Sequence, residues 1–189
     1  MTYKLKFDAI KQQLLGALST YYLWKTLRDS KELYLYNKEF WWLVIPALQN
    51  EWFMVLARLH ESSQWTKSGK VLSIFSLLQD HPDTERAAKA YKFLNDNSEI
   101  LSKIKSYRHN INAHNNLEVI GNKGKFEADN IILYSEIESF FNFTSEMLSI
   151  LENNNGVGYM LEHIKDEAKF SGLHTIQALK YFELKKKNI

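Results

Sequence analysis

Cysteine is absent from the chain. That excludes disulfides, thiolate metal sites and a cysteine nucleophile, and it fits a reducing compartment. Proline occurs twice and glycine seven times in 189 residues. Breakers this sparse leave room for long helices and too few turns for a sheet protein. No strong charge of either sign is present: the formal net charge is +2, so no global field draws the chain to nucleic acid, and any RNA contact must be local. The longest apolar run, Phe40 to Leu48, is interrupted by Pro46 and is too short to span a bilayer. The first residues, Met1 to Asp8, contain no apolar signal region. Together these features predict a cytoplasmic chain with no membrane partner.

Aromatic residues, by contrast, are plentiful at 14%, within 45% hydrophobic and 24% charged residues. The balance is that of a globular protein with a sizeable core. Periodicity predicts seven helices. The first, over 4–29, aligns Phe7, Ile10, Leu14, Leu18, Tyr21 and Trp24. The second, over 38–62, repeats Trp41, Ile45, Leu48, Trp52, Val55 and Leu59 as a bundle seam, with Pro46 expected to kink or open it. A shorter helix follows Ser68-Gly69 and covers Val71 to Leu78. His81-Pro82-Asp83 ends it, and Asp83 caps the next, over 84–95. Asp96 with Glu99 resembles a capping box opening a helix over 97–114. After a polar loop, Asp129 can cap a long helix with the seam Leu133, Ile137, Phe140, Thr144, Met147 and Leu151, stopped by Asn153-Asn154-Asn155 and Gly156. A last helix, over 158–184, is expected to be interrupted near Ser171-Gly172. No alternating strand and no long repeat is visible. The predicted fold class is therefore an all-α bundle, with residues 1–189 forming one domain.

The chemistry concentrates in Ser106-Tyr107-Arg108-His109-Asn110-Ile111-Asn112-Ala113-His114-Asn115. A guanidinium can hold the charge that builds on phosphorus, and an imidazole moves protons near neutral pH. On one unbroken helix Arg108 and His114 stand about 120° apart with roughly 9 Å of rise between them. Two arrangements would bring them to one atom. Either the helix ends before His114, or two copies meet across a two-fold axis and line one cleft with two Arg and two His. A helix terminus also favours cations and asparagines for purely structural reasons, which leaves a non-functional reading open.

Other candidates are weaker. None of the six histidines has a glutamate three residues before it, so a di-iron bundle is excluded. His163 and Glu167 share a helix face, but one such pair reads as solvated surface rather than a metal site. His81 reads as part of a turn, and His60 and His174 are isolated. Gly121-Asn122-Lys123-Gly124-Lys125 lacks the length and closing hydroxyl of a phosphate-cradling loop; Lys123 and Lys125 are better read as solvated than as RNA contacts. Trp41, Trp42, Trp52 and Phe53 suit a core or dimer interface better than base stacking. Asn142-Phe143-Thr144 matches a glycosylation acceptor but falls inside a predicted helix. No cofactor and no metal is expected.

The phrase Tyr107-Arg108-His109-Asn110-Ile111-Asn112-Ala113-His114 resembles the motif of the HEPN superfamily, in which an Arg, usually followed by a polar residue, precedes a His by four to six residues. It is most similar to the abortive-infection AbiU-like branch, as is Leu56-Ala57-Arg58-Leu59-His60-Glu61. The resemblance implies a HEPN-like bundle with an additional C-terminal helix, acting as a homodimeric, metal-independent endoribonuclease. On that reading His114 and Arg108 are catalytic, while His109 and Asn112 are supporting polar residues. The products would carry 2′,3′-cyclic phosphate and 5′-hydroxyl ends. It also implies a phage-defence or toxin–antitoxin role, with RNA as substrate and a nucleotidyltransferase-type antitoxin as partner. One subgroup carries a Tyr two residues after the His, where the antitoxin modifies it. Asn116 stands there in this chain, which argues against that mode of silencing. Because some superfamily members are not nucleases, the competing expectation is a catalytically silent helical module that binds RNA, nucleotide or a partner protein.

Overall fold

A computed structural model describes residues 2–61, 65–66, 69–99, 101–103, 133–152 and 156–186. They form an all-α bundle. Its elements are α1 (Tyr3–Arg28), α2 (Leu33–Tyr36), α3 (Lys38–Leu59), β1 (Trp65–Thr66), β2 (Gly69–Lys70), α4 (Ile74–Gln79), α5 (Thr84–Asp96), α6 (Tyr134–Glu152) and α7 (Gly156–Lys186). The two short strands pair antiparallel, Trp65 with Lys70 and Thr66 with Gly69. Residues 98–99 and 101–103 are helical as well.

Helix α1 is the centre of the bundle and packs against α3 and α7, with α4 and α6 at its sides. The predicted face from Phe7 to Trp24 is buried throughout. A second buried set, Leu15 and Tyr22, lies beside it. A helix enclosed on several sides needs more than one apolar stripe. Trp24 and Tyr21 of α1 meet Trp52 of α3 and Phe141 of α6 in an aromatic cluster. The Tyr21–Trp52, Tyr21–Phe141 and Trp24–Trp52 centroids lie 5.2, 5.4 and 5.6 Å apart. The α3 seam is buried apart from a half-buried Leu48, and the helix runs through Pro46 without a break. Of the four aromatics read as core or interface, Trp41, Trp52 and Phe53 are buried, while Trp42 stays exposed beside Leu43.

Several helix boundaries differ from expectation. Gly69 belongs to the strand pair, and α4 starts only at Ile74, behind a capping box in which Ser73 and Ser76 bond reciprocally. Helix α5 starts where predicted, with the Asp83 carboxylate accepting from the Glu85 and Arg86 N–H groups. Asp96 is the last residue of α5 rather than the cap of the next helix, and Asn97 follows it as C-cap. Helix α6 begins at Tyr134, so Asp129 is too far upstream to cap it; that residue lies outside the described residues. Leu133 occupies the capping position instead, its N–H donating to Glu136 Oε2 at 2.8 Å.

The largest correction concerns α7, which is one continuous helix across Ser171-Gly172. Gly172 is there for closeness rather than for a break. A Cβ at this position would lie 2.8 Å from Thr26 Cγ2 and 2.9 Å from Thr26 Cβ on α1. On α1 itself, Gly16 has nothing within 4 Å of its virtual Cβ. The two glycines should therefore answer the same substitution with opposite sign. Gly16→Ala should raise stability by about 0.5–1 kcal/mol through helix propensity. Gly172→Ala should lower it by about 1–3 kcal/mol, because overpacking forces α1 and α7 apart. Urea-denaturation midpoints of the two variants check both signs.

Candidate active site

Arg108, His109, Asn112 and His114 lie outside the described residues, as do Asn116, Lys123 and Lys125. What the structure gives is the frame from which that stretch leaves and to which it returns. Leu101 is buried in the core. Two residues on, Lys103 Nζ bonds Glu136 Oε1 at 2.5 Å. The other oxygen of the same carboxylate accepts the Leu133 N–H. One glutamate thus ties Lys103 and Leu133, the described residues on either side of that stretch, to the first turn of α6.

The electrostatics agree with that geometry. The Lys103 hydrogen bond, followed by the Leu133 N–H, holds the Glu136 carboxyl below the usual carboxylate range. The same bond raises Lys103. The carboxylate's contribution is present above its unfolded pKa and is lost as pH falls through the depressed folded value. The lysine's contribution is lost only as pH rises through its elevated value, so the tie holds across neutral pH. The N-terminal part of α6 is also fixed from α1. Lys25 Nζ bonds Glu138 Oε1 at 2.7 Å, and Arg28 donates to Tyr134 Oη at 2.5 Å. Glu136, the acidic residue in the first turn, also suits the helix dipole.

Beside this tie opens a cleft of about 270 Å³ lined by Asp96, Asn97, Glu99, Lys103, Glu136, Ser139 and Phe143. Three carboxylates and one already paired lysine make its described wall acidic. The described wall would therefore repel a phosphate.

The remaining histidines resolve into structural roles. His60, given no part by the sequence, is buried at the end of α3, with its ring 4.5 Å from Phe140 and 6.1 Å from Phe143. Thr144 Oγ1 donates to the Phe140 carbonyl at 2.7 Å and so must accept from His60 Nε2 at 3.1 Å. The signal for this was in the sequence, since His60 follows buried Leu56 by four residues on the same helix face. Arg58, from the same stretch, is exposed. His81 does more than end a helix. Its Nδ1 accepts the Asp83 N–H at 3.0 Å, its Nε2 reaches the Leu151 carbonyl at 3.2 Å, and its ring meets Tyr3 edge-on at 4.8 Å. One side chain thereby joins the α4–α5 turn to the end of α6. His163 Nε2 and Glu167 Oε1 lie 3.4 Å apart as an exposed pair on α7. Among the described residues no group of three or more His, Cys, Asp or Glu could hold a metal ion, and no helix is long and apolar enough to cross a membrane.

Comparison with known proteins gives one result of consequence. The HEPN_AbiU2 family model, described as AbiU2, matches residues 3–156. No curated protein matches, and neither does any solved structure. The matched span runs from the start of α1 through the motif-bearing stretch and closes at the first residue of α7, so that nearly all of that helix lies outside the match. With its all-α bundle and its Arg108-His109…His114 motif inside the matched span, the chain belongs to the AbiU2 family of HEPN proteins.

Proposed function

We propose that this protein is a metal-independent endoribonuclease that acts as a homodimer in the cytoplasm. The observation that carries the reading is the placement of Arg108, His109 and His114, at the motif's own spacing, within a family match covering most of the chain. Two copies facing each other would supply two guanidiniums and two imidazoles to one backbone phosphate. One His114 takes the proton from the ribose 2′-hydroxyl as that oxygen attacks phosphorus. The other gives a proton to the departing 5′-oxygen. The Arg108 side chains hold the charge that grows on the phosphoryl oxygens. His109 and Asn112 orient these groups. The attacking and leaving oxygens both belong to the RNA, so the step needs no water and no metal, and it ends in a 2′,3′-cyclic phosphate and a 5′-hydroxyl.

Such an activity, released against the cell's own RNA, suits a phage-defence or toxin–antitoxin toxin. A nucleotidyltransferase-type antitoxin is the proposed partner. Incubating the purified chain with total RNA in excess EDTA tests the reading. Cleavage should persist and leave cyclic phosphate ends. RNA bound but uncut would return the chain to the class of silent HEPN modules, and cleavage strictly dependent on added metal would refute the mechanism.

A further inference from the structure

Helix α7 is apolar on two opposite sides. Val157, Leu161, Ala168 and Ile176 are buried, on the side turned toward α1. Leu161 and Phe170 are nine residues apart, which at 100° each places them on opposite faces. On that outer face stand Tyr159, Phe170, Leu173 and Leu184, exposed by 78%, 60%, 52% and 64%. Large side chains left in water along one line of a helix mark a surface that another molecule covers.

The order of residues along the line identifies the occupant. From Tyr159 the outer seam advances in steps of four and three, through His163 and Asp166 to the central pair Phe170 and Leu173, then through Gln177 and Lys180 to Leu184. Its pattern is apolar, polar, polar, apolar, apolar, polar, polar, apolar, which reads the same from either end. An isologous contact between two copies requires this property, because each position must suit its own mirror position. A partner of different sequence imposes no such symmetry.

We infer that α7 pairs antiparallel with α7 of a second copy, about a two-fold axis crossing the helix between Ser171 and Gly172. Phe170 then meets Leu173 of the second copy at the centre, and Tyr159 meets Leu184 at each end of a seam about 37 Å long. Asp166 faces Gln177, an acceptor opposite a donor. His163 faces Lys180, but neither stands alone: His163 is beside Glu167 at 3.4 Å, and Lys180 bonds Glu32 at 2.9 Å. The steps of four and three are those of helices packed knobs into holes, and in the antiparallel sense each position meets its counterpart of the other heptad class. This contact lies beyond the matched family span and does not rest on the role proposed for Arg108 and His114.

Sedimentation velocity on the full chain tests the pairing. The unsubstituted protein should sediment as an assembly of two or more copies, and the double variant Phe170→Glu/Leu173→Glu should halve that mass while its far-UV circular dichroism stays unchanged, since both positions are exposed. The native absence of cysteine permits a second test. Tyr159→Cys mixed with Leu184→Cys should be joined by a short bis-maleimide, whereas neither variant alone should cross-link. A monomeric wild type, a double variant of undiminished mass, or cross-linking of Tyr159→Cys to itself would each overturn the inference. Because both readouts are physical, they stand whether or not the protein cleaves RNA.

Discussion

Replacing His114 with alanine is expected to slow RNA cleavage in EDTA by about 10²–10⁴-fold, the usual worth of a positioned general acid–base. Arg108→Ala should cost about 10²–10³-fold, the range for removing one donor aimed at developing charge. Both effects belong in the chemical step. Single-turnover rates should therefore fall with little change in RNA binding for His114→Ala, whereas Arg108→Ala should weaken binding too, because its charge faces the phosphate in the ground state as well. A homodimeric cleft adds a sharper expectation. With one imidazole neutral and the other protonated during each turnover, the rate should trace a bell against pH, and removing His114 should abolish both limbs together. His109→Ala and Asn112→Ala, acting through orientation, should cost less than either. If His114→Ala cleaves at the wild-type rate, the mechanism fails regardless of what the dimer does.

The fold was largely legible from the chain because burial in a bundle leaves a period. The α1, α3 and α6 seams could be counted off at three- and four-residue steps, and nearly every residue on them is buried. The misreadings share a physical origin. Gly172 reads as a helix breaker in isolation, and only the 2.8 Å approach of Thr26 reveals it as a packing residue. Asp96 is a good N-cap by residue type, yet it ends α5 and Asn97 follows as that helix's C-cap, because capping depends on where packing allows a helix to begin and end. The short strand pair has too few residues to show alternation. For the site, the motif was legible as residue types and spacing, and the family match covers it, while Arg108, His109, Asn112 and His114 fall outside the described residues. Glu136, which ties both ends of that stretch, carried no sequence signal. Its partners, Lys103 and the Leu133 N–H, come together only through the path of the chain.

His60 illustrates how a residue set aside in sequence can carry a large share of stability. Its ring fills space between Phe140 and Phe143, and its Nε2–H is satisfied by a threonine hydroxyl that is itself committed to the Phe140 carbonyl. Truncation to alanine opens a cavity beside two phenylalanines and removes the bond to Thr144, so His60→Ala should destabilise the protein by about 3–5 kcal/mol, in the range of large aromatic truncations. For a chain of this length that corresponds to a fall in melting temperature of roughly 6–15 °C. Thr144→Val keeps the shape but leaves the imidazole N–H buried without that acceptor, and should cost about 1–3 kcal/mol. The double variant should lose less than the sum of the two, since once the ring is gone the hydroxyl serves only its own helix. Thermal melts of the four proteins close the cycle. A purely additive result would mean that the His60–Thr144 bond contributes nothing. Under conditions where they remain folded, both variants should still cleave RNA in EDTA, because this histidine supports the bundle through α6 and is assigned no part in moving protons at the phosphate.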